Sequence, residues 1–440
     1  MSESVVLKGQ TLSFVADPFL TPPEEALSHE ADGAVWLADG RIQAVGPAER
    51  VIAAAGSGVA LVDYGDSLIA PGFVDCHAHY PQLEAIASHG AQLLEWLETY
   101  TFPTERRFAD PDHARVAADF YLEDSLRHGV TSACVYATVH AASVDALFEA
   151  AAAGGRRMAC GKVLMDRNAP EYLLDTAQSG YDASKALIDR WHGKGRNCYA
   201  VTPRFAATST PEQLEAAAAL WRECPGALMQ THLSENVDEI AWVGGMFPGA
   251  PDYFGVYQQF GLAGPGAIFG HGIHLTERER AAIAETGSAI AHCPTSNLFI
   301  GSGLFDLAGL AQGDAPVGVG LATDVAGGSS MSMFRTMLAA YEIAQLKGFN
   351  LHPVQAWHLA TVGSARVMGM ADLVGNLAPG LEADVIVIDP RSTPLIERRM
   401  SRAESVRDVL FAQIVLADDR AIEAAYVAGA LAYERGAPRD

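Results

Sequence analysis

Eight short apolar runs alternate with amphipathic helical stretches through the middle of this chain, and that alternation restricts its fold more than any other feature. The runs are FVDCHAH (73–79), SACVYAT (132–138), RMACGKVLMD (157–166), NCYAVTPRF (197–205), ALMQTHLSE (227–235), AIFGHG (267–272), SAIAHCP (288–294) and PVGVGLATD (316–324). Strands this apolar are covered on both faces, and alternation with helices makes them neighbours in a parallel sheet. Eight such units predict an α/β fold, a closed (β/α)8 barrel of TIM type. Residues 1–70 differ: VVLKG, TLSFVA, GAVWLADGRIQAVG and ALVDYG are short β-like runs punctuated by Gly and Asp-Gly turns. GLEADVIVIDP and AIEAAYVAGALAY near the other end read the same way. The expected organisation is a barrel over 71–374 and one small β-sandwich assembled from 1–70 and 375–440.

Charge and cysteine content narrow the function. Thirty Lys and Arg against 53 Asp and Glu leave a net charge of −23 over 440 residues. Such a surface repels phosphate backbones and anionic membranes, so neither nucleic acid nor membrane is an expected partner. No basic segment followed by an apolar core opens the chain, and no stretch is apolar enough to span a bilayer. Cysteines at 76, 134, 160, 198, 224 and 293 form no Cys-x-x-Cys pair. Neither a cysteine zinc site nor a disulfide framework is suggested, and a reducing, cytoplasmic location is expected.

Chemistry concentrates at the C-terminal ends of the eight runs, where barrel enzymes place it. His77 and His79 end the first; at i and i+2 of a strand both imidazoles face one side. His232 ends the fifth, His271 the sixth, His292 the seventh and Asp324 the eighth. One such histidine is usually structural, but this many at matching strand ends indicate a metal site. Glu235, three residues after His232, reads either as a proton shuttle beside the metal or as a first-turn helix acid. Arg204-Phe205 reads either as a clamp for a planar heterocycle or as a salt bridge and a core aromatic. No Lys ends the fourth run, so a carbamylated bridge is absent and a single metal is expected. The aromatic-rich segment 82–108, with Trp96, Tyr100 and Phe102, either covers the site or packs on the barrel wall.

PGFVDCHAH, His232, His271 and Thr323-Asp324 together resemble the metal-site pattern of the amidohydrolase superfamily. Longer stretches are similar to its guanine deaminase family: HYPQ (79–82), LLEWLETYTFPTERRF (93–108), VTPRF (201–205), THLSEN (231–236), AHCPTSNLFIGSGLF (291–305) and GLATDVAGGSSMSM (320–333). The resemblance implies hydrolysis of guanine to xanthine and ammonia, with water as the second substrate, and a homodimer. It implies one zinc ion per chain, held by His77, His79, His232 and Asp324; the same ligands suit iron. Glu235, Asp324 and His271 are the implied catalytic groups. Gln82, Arg204 and Phe205, together with His232, Glu235 and His271, are the implied substrate contacts. Cys76 stands where the family often has Thr, and strand alternation points it away from the site. The competing readings are a related deaminase or dehalogenase acting on 8-oxoguanine, cytosine or a triazine, and a non-catalytic assembly protein on the same barrel.

Overall fold

The structure, a computed structural model, describes residues 4–90, 92–312 and 315–437. In chain order the strands are β1 (Val5–Phe14), β2 (Leu27–Ala38), β3 (Arg41–Pro47), β4 (Ala60–Pro71), β5 (Phe73–Ala78), β6 (Val130–Tyr136), β7 (Arg157–Gly161) and β8 (Val163–Leu164). They continue as β9 (Cys198–Pro203), β10 (Leu228–Leu233), β11 (Ala267–His271), β12 (Ala289–His292), β13 (Gly318–Leu321), β14 (Val385–Ile388), β15 (Ile422–Val427) and β16 (Ala430–Glu434).

The barrel runs β5-β6-β7-β9-β10-β11-β12-β13, all parallel, with the short β8 continuing the line of β7 and pairing with β9. It closes just beyond its last strand: Asp324 N–H donates to His77 O at 2.9 Å, and His79 N–H donates to Val325 O at 2.8 Å. Small buried residues fill the interior, among them Val74, Cys134, Ala159, Ala200, Ala291 and Ala322. Larger side chains such as Phe73, Leu147, Phe148 and Phe269 pack between the strands and the surrounding helices. Each expected run ends one to three residues beyond its strand, the third run counted from β8. The mouth is lined both by strand residues, His232 and His271, and by residues just past the strands, His79, Arg204, Glu235 and Asp324.

The terminal strands form one seven-stranded mixed sheet, β16-β15-β14-β4-β1-β2-β3. Asp39 and Gly40, with φ of 54° and 74°, make the β2–β3 turn. Positive φ at both central residues suits the right-handed twist of a hairpin, which is why Asp-Gly marks it in the sequence. The sandwich is this single sheet folded over itself: Leu7, Val35, Leu37 and Ile42 share an apolar core with Val385, Val387 and Ala424. Between β14 and β15 the chain returns to the barrel as helices Pro394–Met400 and Val406–Leu416. Trp357 Nε1 donates to Leu410 O there, at 3.3 Å.

Barrel and sheet are joined by a charged cluster on the face opposite the mouth, where barrel folds place stability. Arg196 Nη2 lies 2.6 Å from Glu382 Oε2 and 2.7 Å from Asp384 Oδ2, and Arg157 Nε donates to the same Glu382 oxygen at 2.8 Å. Removing one member strands acids that have little water to fall back on. Arg196→Met should therefore cost about 3 kcal/mol in urea unfolding while leaving turnover unchanged. A variant as stable as the parent would show the cluster to be incidental.

Candidate active site

The site is made by the way strand ends turn inward. Ser234, His271 and Asp324 follow or finish their strands with φ of 50°, 70° and 49°. Non-glycine residues held left-handed cost about 1–2 kcal/mol each, and such residues cluster where side chains must be aimed. Here they swing His271 and Asp324 over the barrel axis and carry Glu235 in after them. Close packing completes the aim: a Cβ on Gly270 would lie 2.7 Å from His77 Cε1, so only glycine leaves room for that ring.

His77 Nε2 and His79 Nε2 are 3.1 Å apart, and His79 Nε2 and His232 Nε2 are 3.2 Å apart. Asp324 Oδ1 stands 3.3 Å from His77 Nε2 and 3.5 Å from His79 Nε2. Burial, then the neighbouring imidazoles, push His79 and His232 well below the usual histidine range; burial also lowers His77. Burial thus favours the neutral form of all three. Burial favours the neutral form of Asp324 too, but the His77 contact and the surrounding imidazoles overcome it and hold the carboxyl down to about 2.

This donor set fits a divalent transition metal. His232 Nδ1 is 2.7 Å from Arg204 O, a carbonyl that only accepts, so the proton sits on Nδ1 and a lone pair on Nε2 points at the other rings. Lone pairs converging this closely with a carboxylate call for a shared cation. Ligand atoms of His77, His79 and His232 lie within 4.8 Å of one another, as do those of His77, His271, Asp324 and Cys293. Cys293 is the weakest candidate: its thiol donates to Ala291 O at 3.4 Å, and burial pushes it far above the usual thiol range.

Beside the donor set lies a proton-handling pair. Glu235 Oε2 is 3.3 Å from His271 Nε2, and Ser302 Oγ donates to Glu235 Oε1 at 3.1 Å. Burial raises the Glu235 carboxyl to about 7. Burial opposes the charged form of His271, but Glu235 and Asp324 outweigh it and raise its pKa. Its Nδ1 is fixed by Asn297 Oδ1 at 2.9 Å. The turn carrying Glu235 is pinned from behind, since Glu239 Oε2 accepts from the backbone N–H of Glu235 and Asn236 at 3.0 and 3.2 Å.

The remaining expected residues meet in the same place. His79, Gln82, Arg204, Phe205, His232, Glu235, His271 and Asp324 line one cavity, and His77 adjoins it through His79. Segment 82–108 does both things expected of it. It is helical over Leu93–Trp96 and Phe102–Glu105 with a π turn between, and Leu93, Trp96 and Leu97 roof the cavity. Trp96 and Phe102 also pack against Tyr136, Val163 and Met165 on the barrel. Arg204 is likewise both a cavity residue and an ion-pair partner. His292 is not brought in: its ring stacks on Phe305 at 4.2 Å, and neither nitrogen is hydrogen-bonded among the described residues. Cys76 turns to the closing seam, where its thiol donates to Leu321 O at 3.3 Å.

Sequence reasoning missed Glu105, Tyr136, Asn297 and Ser302. Tyr136 stacks on His79 at 4.4 Å and tilts over His77 at 4.7 Å, walling the donor set. In SACVYAT it reads as an ordinary core aromatic. Glu105 sits between Thr104 and the basic pair Arg106-Arg107, a pattern that reads as a solvated face, yet it is fully buried.

Residues 68–431 match the amidohydrolase family. The chain is 47% identical to the guanine deaminase of Escherichia coli (strain K12), covering 99% of this chain and 100% of that one. It is 38% identical to a probable guanine deaminase of Deinococcus radiodurans, covering 98% and 99%. The solved structure of the E. coli guanine deaminase superposes with a TM-score of 0.95 at 46% identity, covering 98% of this chain and 100% of that one. A guanine deaminase from C. acetobutylicum, solved with guanine in its active site, superposes with a TM-score of 0.86 at 26% identity, covering 98% and 100%. Whole-length agreement of this kind establishes that the chain belongs to the amidohydrolase family, in its guanine deaminase branch.

Proposed function

We propose that this protein hydrolyses guanine to xanthine and ammonia, a reaction of purine metabolism, as a zinc-dependent enzyme with one ion per chain. The observation that carries the reading is the meeting, in one cavity, of a metal donor set, a carboxyl raised to about 7 and a polar edge made by Gln82 and Arg204. The relatives named above act on guanine, which supports the same substrate here.

Zinc held by His77, His79, His232 and Asp324 would supply Lewis-acid activation of water at neutral pH, and iron suits the same ligands. Phe205 covers the face of the ring, and Gln82 and Arg204 hold its O6–N1 edge, leaving C2 over the donor set. As water adds to C2, Asp324 takes its proton. Glu235, whose raised pKa lets it carry a proton near neutrality, delivers that proton to N3, so negative charge does not build on the base. His271 donates to the oxygen arriving at C2. On collapse the C2–N bond breaks, the amino group leaves as ammonia with the proton held by Asp324, and the C2 hydroxyl returns its proton to Glu235. The roof of Leu93, Trp96 and Leu97 excludes bulk water from these transfers.

The resemblance further supports a cytoplasmic homodimer, and a division of the chain into sheet, barrel and sheet at about residues 70 and 375 accords with the strand positions. Among the described residues, no helix is long and apolar enough to cross a membrane.

Three measurements test the reading. Guanine consumption followed by ultraviolet absorbance should stop after chelation and return on adding zinc; full activity in metal-free protein would end the proposal. Glu235→Gln should keep its metal but lower kcat by about 10²–10⁴-fold, and normal turnover would remove Glu235 from its role. Ammonia release from guanine, adenine, cytosine, 8-oxoguanine and an aminotriazine should be fastest with guanine. A faster aminotriazine would reassign the substrate.

A further inference from the structure

We propose that Glu105 is a positioning residue that decides which purine edge the cavity accepts, by holding Arg204 as a donor and Gln82 as an acceptor; this rests on the guanine reading above. Glu105 ends the roof helix Phe102–Glu105 and has no exposed surface. Arg204 Nη1 donates to both of its carboxylate oxygens, at 2.9 and 3.0 Å, and Gln82 Nε2 donates to Oε1 at 2.8 Å.

The consequence follows from what each group can do. A carboxylate paired with a guanidinium only accepts, so Gln82 must show it the amide nitrogen rather than the oxygen. The same nitrogen lies 3.1 Å from His79 Nδ1, which carries the proton when Nε2 faces a metal and so does not accept from it; the Glu105 carboxylate alone keeps the Gln82 nitrogen turned this way, and Gln82 Oε1 has no hydrogen bond to protein among the described residues. Arg204 spends Nη1 on Glu105, and its Nε and Nη2 have no protein partner among the described residues. Both side chains line the cavity. The wall therefore offers donors from Arg204 beside an acceptor from Gln82, and the buried carboxylate stops that order from reversing.

Guanine carries the complement on one edge: the O6 acceptor beside the N1–H donor. Adenine carries the reverse, an amino donor beside an N1 acceptor. Without Glu105 the amide of Gln82 is free to turn over, and the wall no longer distinguishes an N1 that donates from one that accepts. Selectivity of this kind rests on leaving buried groups unpaired with the wrong ligand, which costs more than a matched bond gains.

The test compares guanine with 2-aminopurine, which keeps the reacting C2 amino group and N3 but has no O6 and an N1 that only accepts. In Glu105→Gln the guanine kcat/KM should fall about 10- to 100-fold, mainly through KM, as expected for losing one or two buried hydrogen bonds. The 2-aminopurine value should hold or rise, and metal content should not change. Adding Gln82→Ala should then cost guanine less than it does in the parent, because the two residues act through one contact. If the neutral variant does not accumulate, Glu105→Asp keeps the charge but withdraws the oxygens by one methylene, and a smaller collapse in the same ratio is expected. Equal losses on both substrates, or an unchanged ratio, would overturn the assignment while leaving guanine as substrate. A parent protein inactive on guanine would overturn the functional reading and this one with it.

Discussion

Two backbone hydrogen bonds hold the chemistry of this protein together. Asp324 N–H to His77 O and His79 N–H to Val325 O join the end of the last barrel strand to the end of the first. Three of the four expected metal ligands lie on that seam. A barrel that failed to close would leave His77 and His79 on one edge strand and Asp324 on the other. Beneath the seam, Asp75 Oδ1 accepts from Thr323 N–H at 3.0 Å and from His77 N–H at 3.3 Å, so the same carboxyl registers both strands. Its cost is visible: burial raises Asp75 to about 7.

Around the seam the cavity combines strongly different charge environments at short range. Burial pushes His79 and His232 down, the hydrogen bond to His77 and the imidazoles around it pull Asp324 down, and burial raises Glu235 to about 7. Groups with pKa values pushed apart in one dry site are the usual basis for assigning acid and base roles. The ion pair of Arg204 with Glu105 belongs to the same economy, because an unpaired guanidinium next to a cation site would be repelled from the wall it must form.

Much of the fold and of the site was legible in the chain. Uniformly apolar runs at regular spacing specify strands covered on both sides, and polar residues at or near the ends of most runs mark the mouth. His77, His79, His232, His271 and Asp324 could be read together because each ends its run. His292 obeyed the same pattern and was still turned away, onto Phe305. Strand position says where a side chain starts; the last few dihedrals say where it points. The positive φ values at Ser234, His271 and Asp324 carry that information, and no local propensity encodes them for non-glycine residues.

Alternating apolar runs, Asp-Gly turns and strand-end histidines determined by themselves that this chain makes a barrel with candidate metal ligands at its mouth and a second β module from its two ends. Their signals are local, set by periodicity and by turn chemistry within a few residues. Only the tertiary structure decided which polar groups are paired and dry. Glu105 meets Arg204 across 99 residues of chain, and the order of donor and acceptor facing the cavity exists nowhere in either local sequence. The physical reason is that burial and electrostatic pairing depend on what the closed fold brings within about 3 Å, a length scale set by hydrogen bonding and not by distance along the backbone.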